Sequence, residues 1–365
     1  MKGAVPTMAH HPLSVPPQSG TGPRIGSLCS GYGGLDLAAA AVLGGHPVWV
    51  ADPDPGAAAT LAHHWPDVAN LGDITATDFT TVPAVEVLCA GFPCQDISNA
   101  GPRAGIEGSR SSVWRDVARA VRDLRPGYVV LENVAALLAR GMGTVLADLA
   151  ALGYDAAWTC LRASDVGAPH RRERVFILAR PAVADAPHDR HQRPRRARDG
   201  RPGPAHGGGV AAHPGVPGPQ GTGRPAQRHS ATAERGVGVA AHPQGERRDQ
   251  GRPEPTGVVG GLDAAVCGGA SVEWGRYAPA IARWERVCGR PTPDPTEPAP
   301  RGGRRLSPLF AEWLMGLPAG WVTAVPGLTR NQQLRLLGNG VVPAQGVAAL
   351  TVLLTEANDL TGVAA

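Results

Sequence analysis

The chain has 365 residues, including 49 glycines and 36 prolines, and only 4% of its residues are aromatic. This length can bury one large core plus a smaller lobe, and the composition indicates a substantial irregular portion. The six cysteines contain no C-x-x-C pair, which argues against a disulfide framework and a zinc site. No apolar run approaches a membrane span, and residues 1–23 lack the apolar segment of a targeting peptide. We therefore expect a cytoplasmic protein with a disordered leader over 1–23, no metal and no membrane contact.

The positive charge of the chain is concentrated in one segment. Residues 181–260 contain 12 arginines and seven acidic residues, a net charge of +5, whereas the remainder of the chain carries −1. The segment is almost free of large apolar side chains, so it cannot build a core of its own. We therefore expect a long, disordered, low-complexity basic insert over 181–261, which could still contact phosphates electrostatically.

The first motif in the chain is a glycine-rich loop. It covers 27–36, follows the apolar Ile25, and precedes an alanine-rich run with helical character. Glycines between a strand and a helix allow a ligand to approach the backbone closely and leave amide donors at the start of the helix. The pattern predicts a nucleotide-type binding loop.

The second motif is a cysteine directly after a predicted strand. Val85–Ala90 is apolar apart from Glu86, and Gly91-Phe92-Pro93-Cys94-Gln95 follows it. Pro93 restricts its own φ and keeps the preceding residue out of helical geometry, so the turn is stiff. On its own, the pentapeptide supports a nucleophilic Cys94 and a small buried Cys94 equally.

Three later segments add polar groups at strand ends. Tyr128–Leu131 is a predicted strand that ends at Glu132. The run His170-Arg171-Arg172-Glu173-Arg174 precedes the apolar Val175–Leu178, and residues 332–341 lead into a final apolar helix. Ligands of open α/β sheets bind at the carboxyl ends of the strands, so these groups are candidates for one site.

Two amphipathic helices are predicted before that final helix. In the first, over 273–287, Trp274, Tyr277, Ile281 and Trp284 follow helical spacing, and the second covers 308–315. We interpret their aromatic side chains as packing between two lobes in preference to stacking on bases.

In this order, the motifs resemble those of the cytosine-5 DNA methyltransferases, over 24–180 and about 304–355. The resemblance implies an α/β fold: a Rossmann-like methyltransferase sheet with a smaller target-recognition lobe. It also implies S-adenosylmethionine as cofactor and double-stranded DNA as substrate, and we expect a monomer for which a cognate restriction enzyme is a candidate partner. The domain boundaries that we predict are a leader (1–23), a catalytic domain (24–180), the basic insert (181–261), the target-recognition lobe (262–330) and a C-terminal helix that completes the catalytic domain (331–357).

The resemblance also assigns site residues. Cys94 matches the nucleophile that attacks cytosine, Glu132 the acid that protonates its ring, and Arg172 and Arg174 the cations that favour the thiolate. Matched DNA contacts are Gln95, Ser98 and Arg110. Matched cofactor contacts are Cys29, Ser30, Gly31, Gly33, Gly34, Asp52, Asp73, Ile74, Pro93, Asn339 and Val341.

Several positions depart from the family pattern. Ser27 and Cys29 stand where the family commonly has an acidic residue and a phenylalanine, and Asp52 stands where it usually has glutamate for the ribose hydroxyls. Pro53 replaces a bulky side chain, and His170 replaces a glutamine, so we assign His170 no role beyond orientation.

Three alternatives remain open from the sequence. An NAD-dependent oxidoreductase also uses a glycine loop and a strand-end acid, but this loop lacks the G-x-G-x-x-G spacing. An RNA cytosine methyltransferase would share the fold and the cysteine. A catalytically silent DNA-binding protein would not need both Cys94 and Glu132.

Overall fold

A seven-stranded, mostly parallel sheet organises the protein. The computed structural model describes residues 20–93, 112–182 and 272–362. These residues belong to one compact unit. Residues 1–19 of the predicted leader lie outside the described residues, and so does most of the predicted basic insert.

The sheet has the strand order β3-β2-β1-β4-β5-β7-β6. Its first five strands are parallel, and β7 is antiparallel to both of its neighbours. The strands are β1 (Arg24–Leu28), β2 (His46–Ala51), β3 (Ala69–Asn70), β4 (Val87–Ala90), β5 (Tyr128–Val134), β6 (Tyr154–Arg162) and β7 (Glu173–Pro181).

Helices cover both faces of the sheet. The first five are α1 (Gly34–Leu43), α2 (Pro55–His64), α3 (Ser112–Leu124), α4 (Leu137–Arg140) and α5 (Met142–Ala151). After β7, the described chain resumes with α6 (Ala278–Cys288), the two-stranded β8 (Thr296–Pro298) and β9 (Arg304–Leu306), α7 (Pro308–Leu314), α8 (Arg330–Asn339) and α9 (Pro343–Gly362).

Alternate residues of the central strands enter two different cores. In β4, Leu88 and Ala90 pack with α3 and α5, whereas Val87 and Cys89 pack with α1 and α9. Strands with both faces covered read as continuous apolar runs. This is why the runs preceding Gly91 and Glu132 could be recognised as strands.

The C-terminal segment differs from the single helix predicted over 331–357. It forms two helices, because α8 ends at Asn339 and α9 starts at Pro343, a residue that fits the first turn of a helix but not its interior. By length and composition this region could cross a bilayer, yet most of it is buried within the protein. Its packing against α1 is that of a core helix.

The aromatic residues between β7 and α8 pack into the core, and the predicted division into two lobes stays a prediction. Trp284 of α6 is fully buried, and the ring of Trp274 stacks on that of Phe310 of α7 at 5.8 Å. Ser307 caps α7 by accepting a hydrogen bond from the Phe310 amide. Whether residues 262–330 recognise a target sequence stays a prediction.

Candidate active site

The glycine loop after β1 has an unusual backbone. Cys29, Gly31 and Gly33 have φ values of 52°, 57° and 81°, all in the left-handed region. The Ser30 hydroxyl stabilises the loop: it donates to the Ser27 carbonyl and accepts from the Ala51 amide, both at 3.2 Å. A Cβ built on Gly31 would meet no atom within 4 Å. The loop therefore has an open side at Gly31, where a ligand could approach the backbone.

Asp52 is fixed at the end of β2 beside this loop. One carboxylate oxygen accepts from the Gly31 amide and the other from the Asp54 amide, each at 2.9 Å. The Asn70 side chain accepts from the Asp52 amide and donates to the Asp52 carbonyl, both at 3.1 Å. Burial raises the pKa of Asp52, and the backbone hydrogen bonds oppose that effect. Each oxygen keeps a further lone pair with which it could accept a hydroxyl.

The predicted adenine segment, Asp73–Ile74, is held by α3. The Arg119 guanidinium donates to the Ile74 carbonyl at 2.7 Å and to the Thr77 carbonyl at 2.6 Å. Asp73 is exposed at its turn, where a hydrogen bond from the Thr75 amide lowers its pKa. Arg119 could not be predicted from the sequence, because a lone arginine on an amphipathic helix has no distinguishing pattern.

The carboxylates of Asp52 and Asp73 lie close enough to Cys29 to affect its thiol. Burial, with a smaller contribution from the negative charges of Asp52, Asp73 and Asp116, raises the pKa of Cys29 to about 12. The Cys29 thiol is therefore neutral at physiological pH. The predicted cofactor residues that follow β1, β2 and β3 therefore lie close together.

Glu132 and Arg174 form a buried ion pair at the carboxyl end of β5. The Arg174 Nε lies 3.0 Å from a Glu132 carboxylate oxygen, and each side chain is only 9% exposed. The antiparallel pairing of β5 and β7 places Arg174 opposite Val134, and so two residues from Glu132 along the ladder. Removing either partner would leave a buried charge uncompensated.

Burial and the two neighbouring arginines act on the pKa of Glu132 in opposite directions. Burial raises its pKa, whereas the charges of Arg174 and then Arg172 lower it, and the net direction is upward. A raised pKa makes a carboxyl group a better candidate for donating a proton to a ligand.

The turn that follows β4 is attached to the same strand end. The Asn133 side-chain amide donates to the Phe92 carbonyl at 3.1 Å, and a Cβ on Gly91 would lie 3.8 Å from a Glu132 carboxylate oxygen. Pro93, the last described residue before the gap at 94–111, is exposed. Glu132 therefore borders the turn that leads to the predicted nucleophile. Four predicted residues lie outside the described ones: Cys94, Gln95, Ser98 and Arg110.

Arg172 connects this strand end to the C-terminal helices. It donates to the carbonyls of Gly338 and Gly340, at the end of α8, at 2.9 and 2.8 Å. Its charge also acts on Glu132. Arg172 thus lies near Glu132, while Arg174 makes the direct ion pair.

The predicted closing element packs against the glycine loop. The Tyr32 hydroxyl donates to the Val341 carbonyl at 2.6 Å. A Cβ on Gly340 would come within 1.9 Å of the Tyr32 ring, so no larger residue fits there without movement. Val341 is buried and Asn339 is exposed at the end of α8.

His170 anchors α7 to the sheet and does not contact the carboxylates. Its Nε2 pairs with the Leu314 carbonyl at 3.0 Å, and burial lowers its pKa to about 4. The ring is therefore neutral at pH 7 and donates to the carbonyl from Nε2. Among the described residues, no group of three or more His, Cys, Asp or Glu side chains is arranged to hold a metal ion.

Comparison with known proteins agrees with this geometry. Residues 24–196 match the profile of the C-5 cytosine-specific DNA methylases. The chain is 36% identical over 141 residues to the Type II methyltransferase M.NlaIV of Neisseria lactamica, covering 36% of this chain and 33% of that protein. It is 34% identical over 165 residues to the Type II methyltransferase M2.BsuMI of Bacillus subtilis, covering 43% and 41%. The chain thus matches only about a third to two fifths of the length of these curated relatives.

A solved structure extends the likeness of the fold beyond the matched segment. The crystal structure of the S. pombe Dnmt2 methyltransferase superposes with a TM-score of 0.50 and 16% sequence identity, covering 92% of this chain and 99% of that one. At this identity the likeness concerns the fold alone. The assignment rests on the profile match: residues 24–196 of this chain belong to the family of C-5 cytosine-specific DNA methylases.

Proposed function

We propose that this protein transfers a methyl group from S-adenosylmethionine to carbon 5 of cytosine in double-stranded DNA. The observation that carries the proposal is the buried Glu132–Arg174 pair beside Gly91, at the strand end where the turn toward Cys94 begins. An NAD-dependent oxidoreductase would use a strand-end acid such as Asp52 but would not need Glu132. The Type II names of the relatives support a role alongside a cognate restriction enzyme.

The residues at the glycine loop suit the proposed cofactor. The open side of the loop at Gly31 gives an adenosyl group access to the backbone, and Asp52 has acceptor capacity for ribose hydroxyls. When bound, the cofactor supplies an electrophilic methyl group on a sulfonium. The full set of proposed cofactor contacts is Cys29, Ser30, Gly31, Gly33, Gly34, Asp52, Asp73, Ile74, Pro93, Asn339 and Val341.

Glu132 and Cys94 would activate the cytosine together. Carbon 5 is a poor nucleophile until a thiolate adds to carbon 6, and Cys94 is the proposed source of that thiolate. Negative charge then builds on the ring, and Glu132, with its raised pKa, can place a proton on nitrogen 3. After methylation, water takes the carbon 5 proton, the sulfur of Cys94 leaves carbon 6 as thiolate, and nitrogen 3 returns its proton to Glu132.

Two cations would support these steps. Arg174 holds the Glu132 carboxyl group in place through the 3.0 Å ion pair, and Arg172 adds positive charge nearby. The reacting atoms of cytosine are inaccessible in a stacked duplex, so the target base must leave the helix. Gln95, Ser98 and Arg110 are the proposed DNA contacts around it.

The experiment that tests this proposal traps the covalent intermediate. Full-length protein is incubated with S-adenosylmethionine and a duplex containing 5-fluorocytosine, whose fluorine blocks the final elimination. We expect a denaturation-resistant adduct with the parent protein and none with Cys94→Ser, because a hydroxyl is far less nucleophilic at neutral pH.

Cys160→Ser is the matched control, because Cys160 lies on the outer strand β6 and should leave the adduct unchanged. The same assay on single-stranded RNA with 5-fluorocytosine separates the DNA substrate from an RNA substrate. Normal methylation by Cys94→Ser would refute the proposal. An adduct that forms on RNA alone would identify RNA, and not DNA, as the substrate.

A further inference from the structure

The loop that follows α7 is built around a buried carboxylate. Glu312 is fully buried and accepts hydrogen bonds from the amides of Gly320, Val322 and Thr323 at 2.7 to 2.8 Å, and from the Thr323 hydroxyl at 3.2 Å. Four hydrogen bonds to one charged group give the loop a single, well-defined shape. This loop, residues 316–323, lies outside the segment that matches the family profile.

The loop presents Trp321 to the glycine loop. The Trp321 indole N–H donates to the Tyr32 carbonyl at 2.8 Å. Its ring is stacked on His64, with centroids 3.5 Å apart and planes within 3°, and Trp65 packs edge-on at 5.9 Å. The His64 Nε2 also pairs with the Trp321 carbonyl at 2.6 Å. The contacts with His64 and Trp65 therefore hold the Trp321 indole in place independently of its hydrogen bond to Tyr32.

Tyr32 lies at the centre of the loop segment with the unusual backbone. Its two neighbours, Gly31 and Gly33, both have left-handed φ values. Because they are glycines, other backbone conformations are also accessible to them. Tyr32 is restrained at two points, by the Trp321 indole at its carbonyl and by the Val341 carbonyl at its hydroxyl. Next to Tyr32 in the chain, a Cβ on Gly31 would meet no atom within 4 Å.

We propose that Trp321 is a positioning residue for the cofactor: its hydrogen bond to the Tyr32 carbonyl selects the binding-competent conformation of the glycine loop. The inference rests on the proposed function, because it names S-adenosylmethionine as the ligand of that loop. A restraint that is present before binding lowers the entropy that binding must remove, so its loss weakens affinity without any loss of a direct contact.

The experiment compares two tryptophans in the same core. Trp284 is also fully buried and donates its indole N–H to a backbone carbonyl, that of Trp313, at 2.8 Å, but it does not reach the glycine loop. Trp321→Phe and Trp284→Phe thus remove equivalent hydrogen bonds from one cluster. Binding of S-adenosylmethionine to each full-length variant is measured by titration calorimetry, with thermal melts alongside.

We expect Trp321→Phe to weaken cofactor binding about 3- to 10-fold, the range of one net hydrogen bond, and Trp284→Phe to leave it unchanged. At saturating cofactor, kcat should be unaltered while KM for the cofactor rises. Glu312→Gln loosens the same loop without altering the indole, so it should also weaken binding and gives a second reading if Trp321→Phe folds poorly.

Two results would overturn the inference: cofactor affinity unchanged in both Trp321→Phe and Glu312→Gln, or equal weakening in Trp321→Phe and Trp284→Phe, which would mark a general loss of packing. Failure of the parent protein to bind S-adenosylmethionine would instead refute the proposed function.

Discussion

Asp36 is a buried carboxylate that reduces the stability of the fold at neutral pH. It lies in the first turn of α1 and is 1% exposed, and its polar side-chain neighbours are the Ser27 hydroxyl and the Cys89 thiol. Burial raises its pKa from 3.8 to about 6, although the neighbouring Ser27 hydroxyl and Cys89 thiol partly oppose the effect. The prediction concerns Asp36→Asn, which keeps the shape of the side chain and cannot ionise.

The size of the effect follows from proton linkage. Below about pH 4 the carboxyl group is neutral in both the folded and the unfolded chain, so it costs nothing. As the pH rises, the unfolded chain ionises first, and stability is lost until the pH passes about 6, where the folded protein ionises too. The interval from 3.8 to about 6 corresponds to a loss of about 3 kcal/mol.

The assay is urea unfolding of the parent protein and of Asp36→Asn from pH 4 to pH 8. The difference between their free energies of unfolding should shift in favour of the variant by about 3 kcal/mol across this range. Taking the difference removes the effects of other carboxylates, and Asp155→Asn, at an exposed position of β6, serves as the control. A difference that stays constant with pH would refute the reasoning, since it would mean that Asp36 has a partner that supports its charge.

Two further predictions concern the catalytic end and the closing element. Glu132→Gln keeps the shape of the side chain but cannot supply a proton, so single-turnover methylation should slow by about 10²- to 10⁴-fold while calorimetry shows unchanged cofactor affinity; a collapse of that affinity would assign Glu132 to the cofactor site. Gly340→Ala places a Cβ 1.9 Å from the Tyr32 ring and should lower the free energy of unfolding by about 1–3 kcal/mol. Gly338→Ala, at a site with no atom within 4 Å, should not, and equal losses in the two variants would contradict the steric explanation.

The sequence could predict the elements whose signal is local. The apolar runs before Gly91 and Glu132 are strands, because a strand buried on both faces has an uninterrupted apolar sequence. It could not place β7 between β5 and β6, since pairing order depends on contacts between distant segments. The break at 340–342 did have a local signal, Pro343, which the prediction of one continuous helix overlooked.

The supporting residues of the site were harder to foresee. Glu312 occupies an amphipathic helix where a charged residue is normally solvated, and only the tertiary loop around it explains its burial. Trp321 looks like any core tryptophan in sequence. Its contact with Tyr32 joins positions 289 residues apart, and no periodicity in a single sequence reports such a contact.

The packing of α9 against α1 has a consequence for synthesis of the protein on the ribosome. Ala38 lies so close to α9 that a Cβ on Gly346 would come within 2.7 Å of its side chain, and Leu350 and Leu353 complete the same core. Three hundred residues separate the end of α1 from the start of α9, which at ordinary translation rates means roughly 15 to 60 s of waiting. During that time the apolar side of α1 has no native cover, so a chain that terminates early would expose it to chaperones and proteases.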